Sequence, residues 1–216
     1  MNRTALALAS LVLTVPLARS TPLAAFDGGL LVNGDFFGST DSWLHTNSNA
    51  GAMSYQGVDA TGEPGSGSAR ITNYAPVNFA GDDAFQCIAG VVPGERYSFG
   101  GKIYIVTNDA RTGYGSIHVG FHGTSNCSTA SLAGDSSPLV STATMGSFRT
   151  VRGPDVVAPP GALAVRVTLH TLKNEADFVL QFHFDDVFLC AASEPCEIFA
   201  DDFESGGTWD WSSAAL

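Results

Sequence analysis

An all-β sandwich is the fold predicted by this 216-residue sequence, on three observations. Past the first 25 residues, apolar and polar residues alternate with period two in segment after segment. No stretch of ten or more residues there carries the apolar recurrence of an amphipathic helix. The alternating runs are short and are punctuated by GEPGSGS, VVPGE, NDARTGYG, GPDVVAPPG and KNEAD, whose Gly, Pro, Asn and Asp supply the backbone angles that turns require. Short strands at such spacing argue for a sandwich.

Taken in order, the chain begins MNRTALALASLVLTVPLARSTPLAA: one early Arg, an apolar run over residues 5–18, then small residues. This reads as a secretory leader over residues 1–25, too short in its apolar part for a membrane anchor, with cleavage after Ser20 or after Ala25. No later stretch is apolar enough to span a bilayer, so export without membrane insertion is expected, to the extracellular space or a periplasm. Strands are expected at 30–36, 52–56, 68–72, 84–92, 96–106, 115–122, 147–157, 163–172 and 178–189. Parity sorts the inward residues. Phe85, Cys87, Ala89 and Val91 form one set; Tyr97, Phe99, Ile103 and Ile105 form another if Gly100-Gly101 hides a bulge. Ile117, Val119 and Phe121 follow, then Leu163, Val165, Val167 and Leu169, then Phe178, Leu180, Phe182 and Phe184. At Asp185-Asp186 the alternation slips phase, because Val187 and Leu189 also read as inward, and a bulge is expected there. Residues 26–190 make one domain, followed by a tail over 191–216.

Composition narrows the partners. Losing Arg3 and Arg19 with the leader leaves eight basic residues against 21 acidic ones. Nucleic acid and anionic membranes are thereby excluded as expected partners, since both need clustered Lys and Arg. The four cysteines, Cys87, Cys127, Cys190 and Cys196, lie in a chain expected to be exported, so disulfides are expected and three pairings are open. Cys87 with Cys127 and Cys190 with Cys196 are the favoured pairs, the second fastening the tail to the last strand.

Five segments occur together in register: LVNGDFFGSTDSW, GSGSARIT, FQCIAGVVPGERYSFGGKIYI, SFRTVRGPDVVAPPGALAVRVTL and FHFDDVFL. With their NGDF start and following Trp, Pro-Gly-x-x-Tyr turn, APxG turn and closing DDVxL, they are similar to the CenC-type carbohydrate-binding modules over about residues 30 to 189. The resemblance implies a jelly-roll sandwich of the galactose-binding-like type, of about nine strands. It also implies a glycan or cell-surface polysaccharide as partner, and structural roles for Trp43 and Tyr97. Cys87 and Cys127 look like the cysteines of a secreted bacterial subgroup of that family. A structural calcium is implied too, with Asp185 as ligand beside backbone carbonyls of the first strand; calcium takes six to eight oxygens at about 2.3 to 2.6 Å. The family's Glu position is Phe37 here, which cannot ligate a cation.

Catalytic patterns do not stand out. There is no GxSxG, HExxH, P-loop or dinucleotide fingerprint. Of the five histidines, only His118 and His122 fall in one element, and four residues along a strand separate them by about 13 Å. The pairs Asp82-Asp83, Asp185-Asp186 and Asp201-Asp202 are sequence neighbours, which on a strand point to opposite faces. Binding fits better. Opposite the core, the strands carry Lys102 and Tyr104, then Ser116 and His118, then Arg166, Thr168 and His170, then Gln181 and His183. Amides, hydroxyls, imidazoles and a guanidinium pair with sugar hydroxyls, and a ring such as Tyr104 packs on a pyranose. Tyr55, Tyr74 and Tyr114 supplement it. The expected site is therefore Tyr104, His118, Arg166, His170, Gln181 and His183, in a secreted non-catalytic glycan-binding module. The alternatives are a structural or adhesive extracellular protein without sugar binding, and a glycoside hydrolase. In the tail CEIFADDFESGGTWDWSSAAL, residues Ile198, Phe199, Phe203, Trp209 and Trp211 are available for docking, and Glu204 is the carboxylate absent at Phe37.

Overall fold

The computed structural model describes residues 28–46, 51–106, 113–141, 144, 147–176 and 178–193. The leader, Cys196 and residues 194–216 of the tail lie outside the described residues. Among those described there are eleven strands and no helix. They are β1 (Leu44–His45), β2 (Ala52–Gln56), β3 (Ser68–Asn73), β4 (Ala80–Ala89), β5 (Arg96–Ile105), β6 (Gly113–His122), β7 (Ser131–Ser136), β8 (Arg149–Arg152), β9 (Val156–Val157), β10 (Ala164–Lys173) and β11 (Leu180–Ala191). A five-stranded sheet has the order β1-β4-β10-β6-β7, and a six-stranded one has β2-β3-β11-β5-β8 with β9 also on β5. All strand pairs are antiparallel. The chain crosses from one sheet to the other at most connections, which makes the predicted jelly-roll sandwich.

Period-two alternation drives the assembly. Ile117, Val119 and Phe121 of β6 and Val165, Val167 and Leu169 of β10 point inward. They meet Ile71, Phe99, Ile103, Leu180, Phe182 and Phe184 of the other sheet in one buried cluster. Each large apolar side chain so buried stabilises the sandwich by about 1.5–3 kcal/mol relative to exposure. Trp43 and Tyr97 lie in that cluster, as their expected structural roles require.

Several expectations are corrected. Residues 30–36 form turns, not a strand: Asn33 and Phe36 take φ of 56° and 50°. The Asn33 side chain organises this turn, Nδ2 donating to the Ser39 carbonyl at 3.0 Å and Oδ1 accepting from the Phe37 amide at 2.9 Å. The turn rests on β11 through Val187 N to the Gly34 carbonyl, 2.9 Å. Residues 147–157 split into β8 and β9, and β7 was not expected. No bulge sits at Gly100-Gly101, which pair in register with Arg152 and Val151. Odd-numbered residues from Tyr97 to Ile105 share the inner face without one. The bulge at Asp185-Asp186 is present: Asp185 faces Lys102 and Phe188 faces Gly100, with Asp186 at φ 46°. Finally, β4 has the opposite phase to that expected: Ala80, Asp82, Ala84 and Gln86 are buried, while Phe85 and Cys87 lie on the outer face; Leu163 is exposed.

Candidate functional site: the outer face of the five-stranded sheet

Because β10 reads VRVTLHT, its valines and Leu169 point to the core while Arg166, Thr168 and His170 point out. In β6, YGSIHVG does the same for Tyr114, Ser116 and His118, and β4 contributes Asp83, Phe85 and Cys87. Register then sets these side chains abreast. Phe85, Thr168 and His118 share one row, Asp83, His170 and Ser116 the next, and Cys87, Arg166 and Gly120 a third. Residues abreast on one face have Cβ atoms about 4.5–5.5 Å apart, so they touch.

They form a connected group. Asp83 Oδ1 and His170 Nδ1 are 2.6 Å apart. The His170 and His118 rings lie with centroids 4.7 Å apart, and Tyr114 flanks His170 at 6.1 Å. Ser116 Oγ and His118 Nε2 are 2.7 Å apart. The Arg166 guanidinium carbon stands 3.6 Å from the Phe85 ring centroid. Burial holds the His118 imidazole below the usual histidine range and the neighbouring His170 adds to this, against the pull of Asp83. This favours the uncharged, hydrogen-bonding form of the His118 ring. Burial likewise lowers Arg166, opposed by Asp83. Cys87 is disulfide-bonded to Cys127, with Cα atoms 6.1 Å apart, which ties the loop after β6 to the edge of this face beside Arg166. Cys190 is disulfide-bonded as well.

The six expected ligand residues do not come together. His118, Arg166 and His170 share this face; Tyr104, Gln181 and His183 lie on the outer face of the other sheet, across the core. There His183 Nδ1 is 2.8 Å from Ser68 Oγ, its ring is 5.4 Å from that of Tyr104, and Tyr104 is 5.6 Å from Phe148. His183 is only 4% exposed, and burial, helped by the Arg70 charge, pushes it down to about 4. It is a buried, satisfied imidazole. Asp83 and Phe85 were missed, and the signal for them was the parity of β4: reading Ala84 and Gln86 as inward puts both on the site.

Asp185 is fully buried behind the loop joining β2 and β3. Its Oδ2 accepts from the Ala60 amide and its Oδ1 from the Asp186 amide, both at 2.8 Å. Burial first, then the Asp186 and Asp59 charges, push Asp185 up to about 9. Asp186 is paired with Lys102 Nζ at 2.8 Å. Among the described residues, no three His, Cys, Asp or Glu side chains converge as a metal-ligating group. Asp186 and Asp59 place further carboxylate charge beside Asp185, the ligand type a hard cation takes, and Lys102 offsets the charge of Asp186.

No family model and no curated protein matches the chain. Solved structures do. A xylan-binding domain from CBM 22 is similar at TM-score 0.53 and 17% identity, over 78% of this chain and 99% of that one. The enzymatically active domain of bacteriophage CBA120 tailspike protein 4 is similar at TM-score 0.54 and 15% identity, over 76% of this chain and 21% of that one. An arabinose-bound α-L-arabinofuranosidase, MgGH51, is similar at TM-score 0.53 and 13% identity, over 75% and 26%. This chain thus spans about a fifth of the tailspike domain and about a quarter of the arabinofuranosidase. At these identities the likeness is one of fold, a two-sheet β-sandwich shared with the xylan-binding domain.

Proposed function

We propose that the protein is an exported, non-catalytic module that binds a glycan or cell-surface polysaccharide on the outer face of its five-stranded sheet. The observation that carries this reading is the contiguous array of Arg166, His170, His118, Thr168 and Tyr114 on one sheet face. There, fixed donors and acceptors sit side by side at the spacing of neighbouring strands. Such an array suits sugar hydroxyls, and the core-packed strands behind it keep its geometry. The carbohydrate-binding β-sandwiches among the similar folds support the same reading. So does the leader-like sequence of residues 1–25, which agrees with an extracellular or periplasmic site of action.

Binding without turnover fits the site's chemistry. Ser116 is 2.7 Å from His118 but fully buried, so the pair presents no accessible nucleophile. Asp83 is engaged by His170 at 2.6 Å, which suits a fixed binding group. Asp185, with carbonyls of the turn over residues 30–36, would hold a structural calcium, whose charge would offset the buried acids and fasten that turn to β11. Retention on insoluble polysaccharides together with a glycan array tests the function. Binding to at least one glycan is expected, whereas a folded sample retained on none leaves the structural or adhesive reading in its place.

A further inference from the structure

Arg166 is the unspent group on this face. His170 is occupied by Asp83 and His118 by Ser116, but among the described residues the guanidinium has no hydrogen-bond or ion-pair partner, and its Nε is buried. The side chain is nevertheless held, because Phe85 lies flat beneath it at 3.6 Å. In register beside it on β6 is Gly120, which adds no side chain to that row. A cation fixed in orientation, with its donor fork unused, is a costly arrangement unless a ligand completes it. The planar fork matches a carboxylate bidentately, which it does not do for a hydroxyl. The face is also poor in stacking platforms: Phe85 is covered by Arg166, and Tyr114 is the ring that remains beside the histidines. Recognition there leans on polar and charged contacts.

Building on the glycan-binding reading, we infer that the ligand is a uronic-acid-containing polysaccharide whose carboxylate is taken by the Arg166 guanidinium, with the adjoining hydroxyls on His170, His118 and Thr168. The net charge of −11 opposes the approach of polyanions in general, so this recognition is local and specific for the carboxylate.

The test measures affinity of the intact protein for polygalacturonate, alginate and glucuronoxylan, each beside its carboxyl-reduced form, which keeps the sugar's shape and removes the charge. Dextran sulfate serves as the generic polyanion. At least one free acid is expected to bind ten-fold or more tighter than its reduced form, and dextran sulfate to bind weakly. R166Q should bring acid and reduced forms to equal affinity, and R166K should keep part of the difference; thermal melts of both variants report folding. Equal affinity of the wild type for acid and reduced forms overturns the inference but leaves glycan binding standing. A preference that survives in R166Q, or dextran sulfate bound as tightly as the uronates, also overturns it. No retention on any glycan overturns both.

Discussion

Arg166 lies over Phe85 because β4 turns its smaller and more polar alternates, Ala84 and Gln86, to the core. An aromatic ring is left on the outside. The pairing contributes about 0.5–2 kcal/mol, according to how far the guanidinium is desolvated. Phe85→Leu should therefore lower glycan affinity by about two- to thirty-fold while moving the melting temperature by only a few degrees. Isothermal titration beside a thermal melt checks this, and unchanged affinity removes the ring from the site. His118→Ala removes a neutral hydrogen-bonding ring from the centre of the face, and about ten-fold weaker binding is expected in the same titration. At this scale the sequence was legible in β6 and β10, where Ile117, Val119 and Phe121 and then Val165, Val167 and Leu169 mark the inward phase. It misled in β4. There Phe85 and Cys87 are apolar for reasons other than the core: one supports a guanidinium, and the other closes a disulfide on the surface.

Among the elements, the bulge in β11 was readable and the first turn was not. A period-two pattern that slips by one, as at Asp185-Asp186, leaves a trace in the sequence. A stretch such as Leu31 to Phe36 alternates like a strand, yet bends because Asn33 caps its own loop. The Cys87–Cys127 bond closes a loop with a sequence separation of 40. In the chain-entropy model this contributes about 4 kcal/mol. Replacing both cysteines with Ala should lower the stability by up to that amount in denaturant titrations, and should weaken glycan binding beyond the stability loss, since the bridge walls the edge beside Arg166. The bulge carries its own expectation. The calcium proposed at Asp185 would raise the melting temperature in millimolar calcium over that in EDTA; a ligand at a hundred times its dissociation constant adds about 2.7 kcal/mol. Asp185→Asn should abolish that difference, and equal melting temperatures for the wild type in the two buffers would remove the ion.

On the scale of the whole molecule, the expected strip failed because sandwich topology is set by pairings distant in sequence. Parity says which residues face outward but not which sheet they face outward from. β5 and β6 are consecutive yet belong to different sheets, so Tyr104 and His118 sit on opposite sides of the core. That separation gives His183 a part unrelated to the ligand. Its folded-state value of about 4 lies below the ordinary 6.5, because burial and the Arg70 charge disfavour its cation. A base depressed in this way favours folding fully above its unfolded value, and the contribution is lost as pH falls from about 6.5 to about 4, to a total of roughly 3 kcal/mol. The carboxyls of Asp82, Asp185 and Asp186, raised by burial, act with the opposite sign as pH rises, so the raw profile mixes the two. Subtracting the unfolding free energy of His183→Gln from that of the wild type, pH by pH, cancels the carboxyls. The difference is expected to be flat above pH 7 and to fall by about 1.4 kcal/mol per pH unit between 6.5 and 4. A difference flat over the whole range would mean that His183 titrates alike in the folded and unfolded chain, and that the Ser68 hydrogen bond and burial leave its proton affinity untouched.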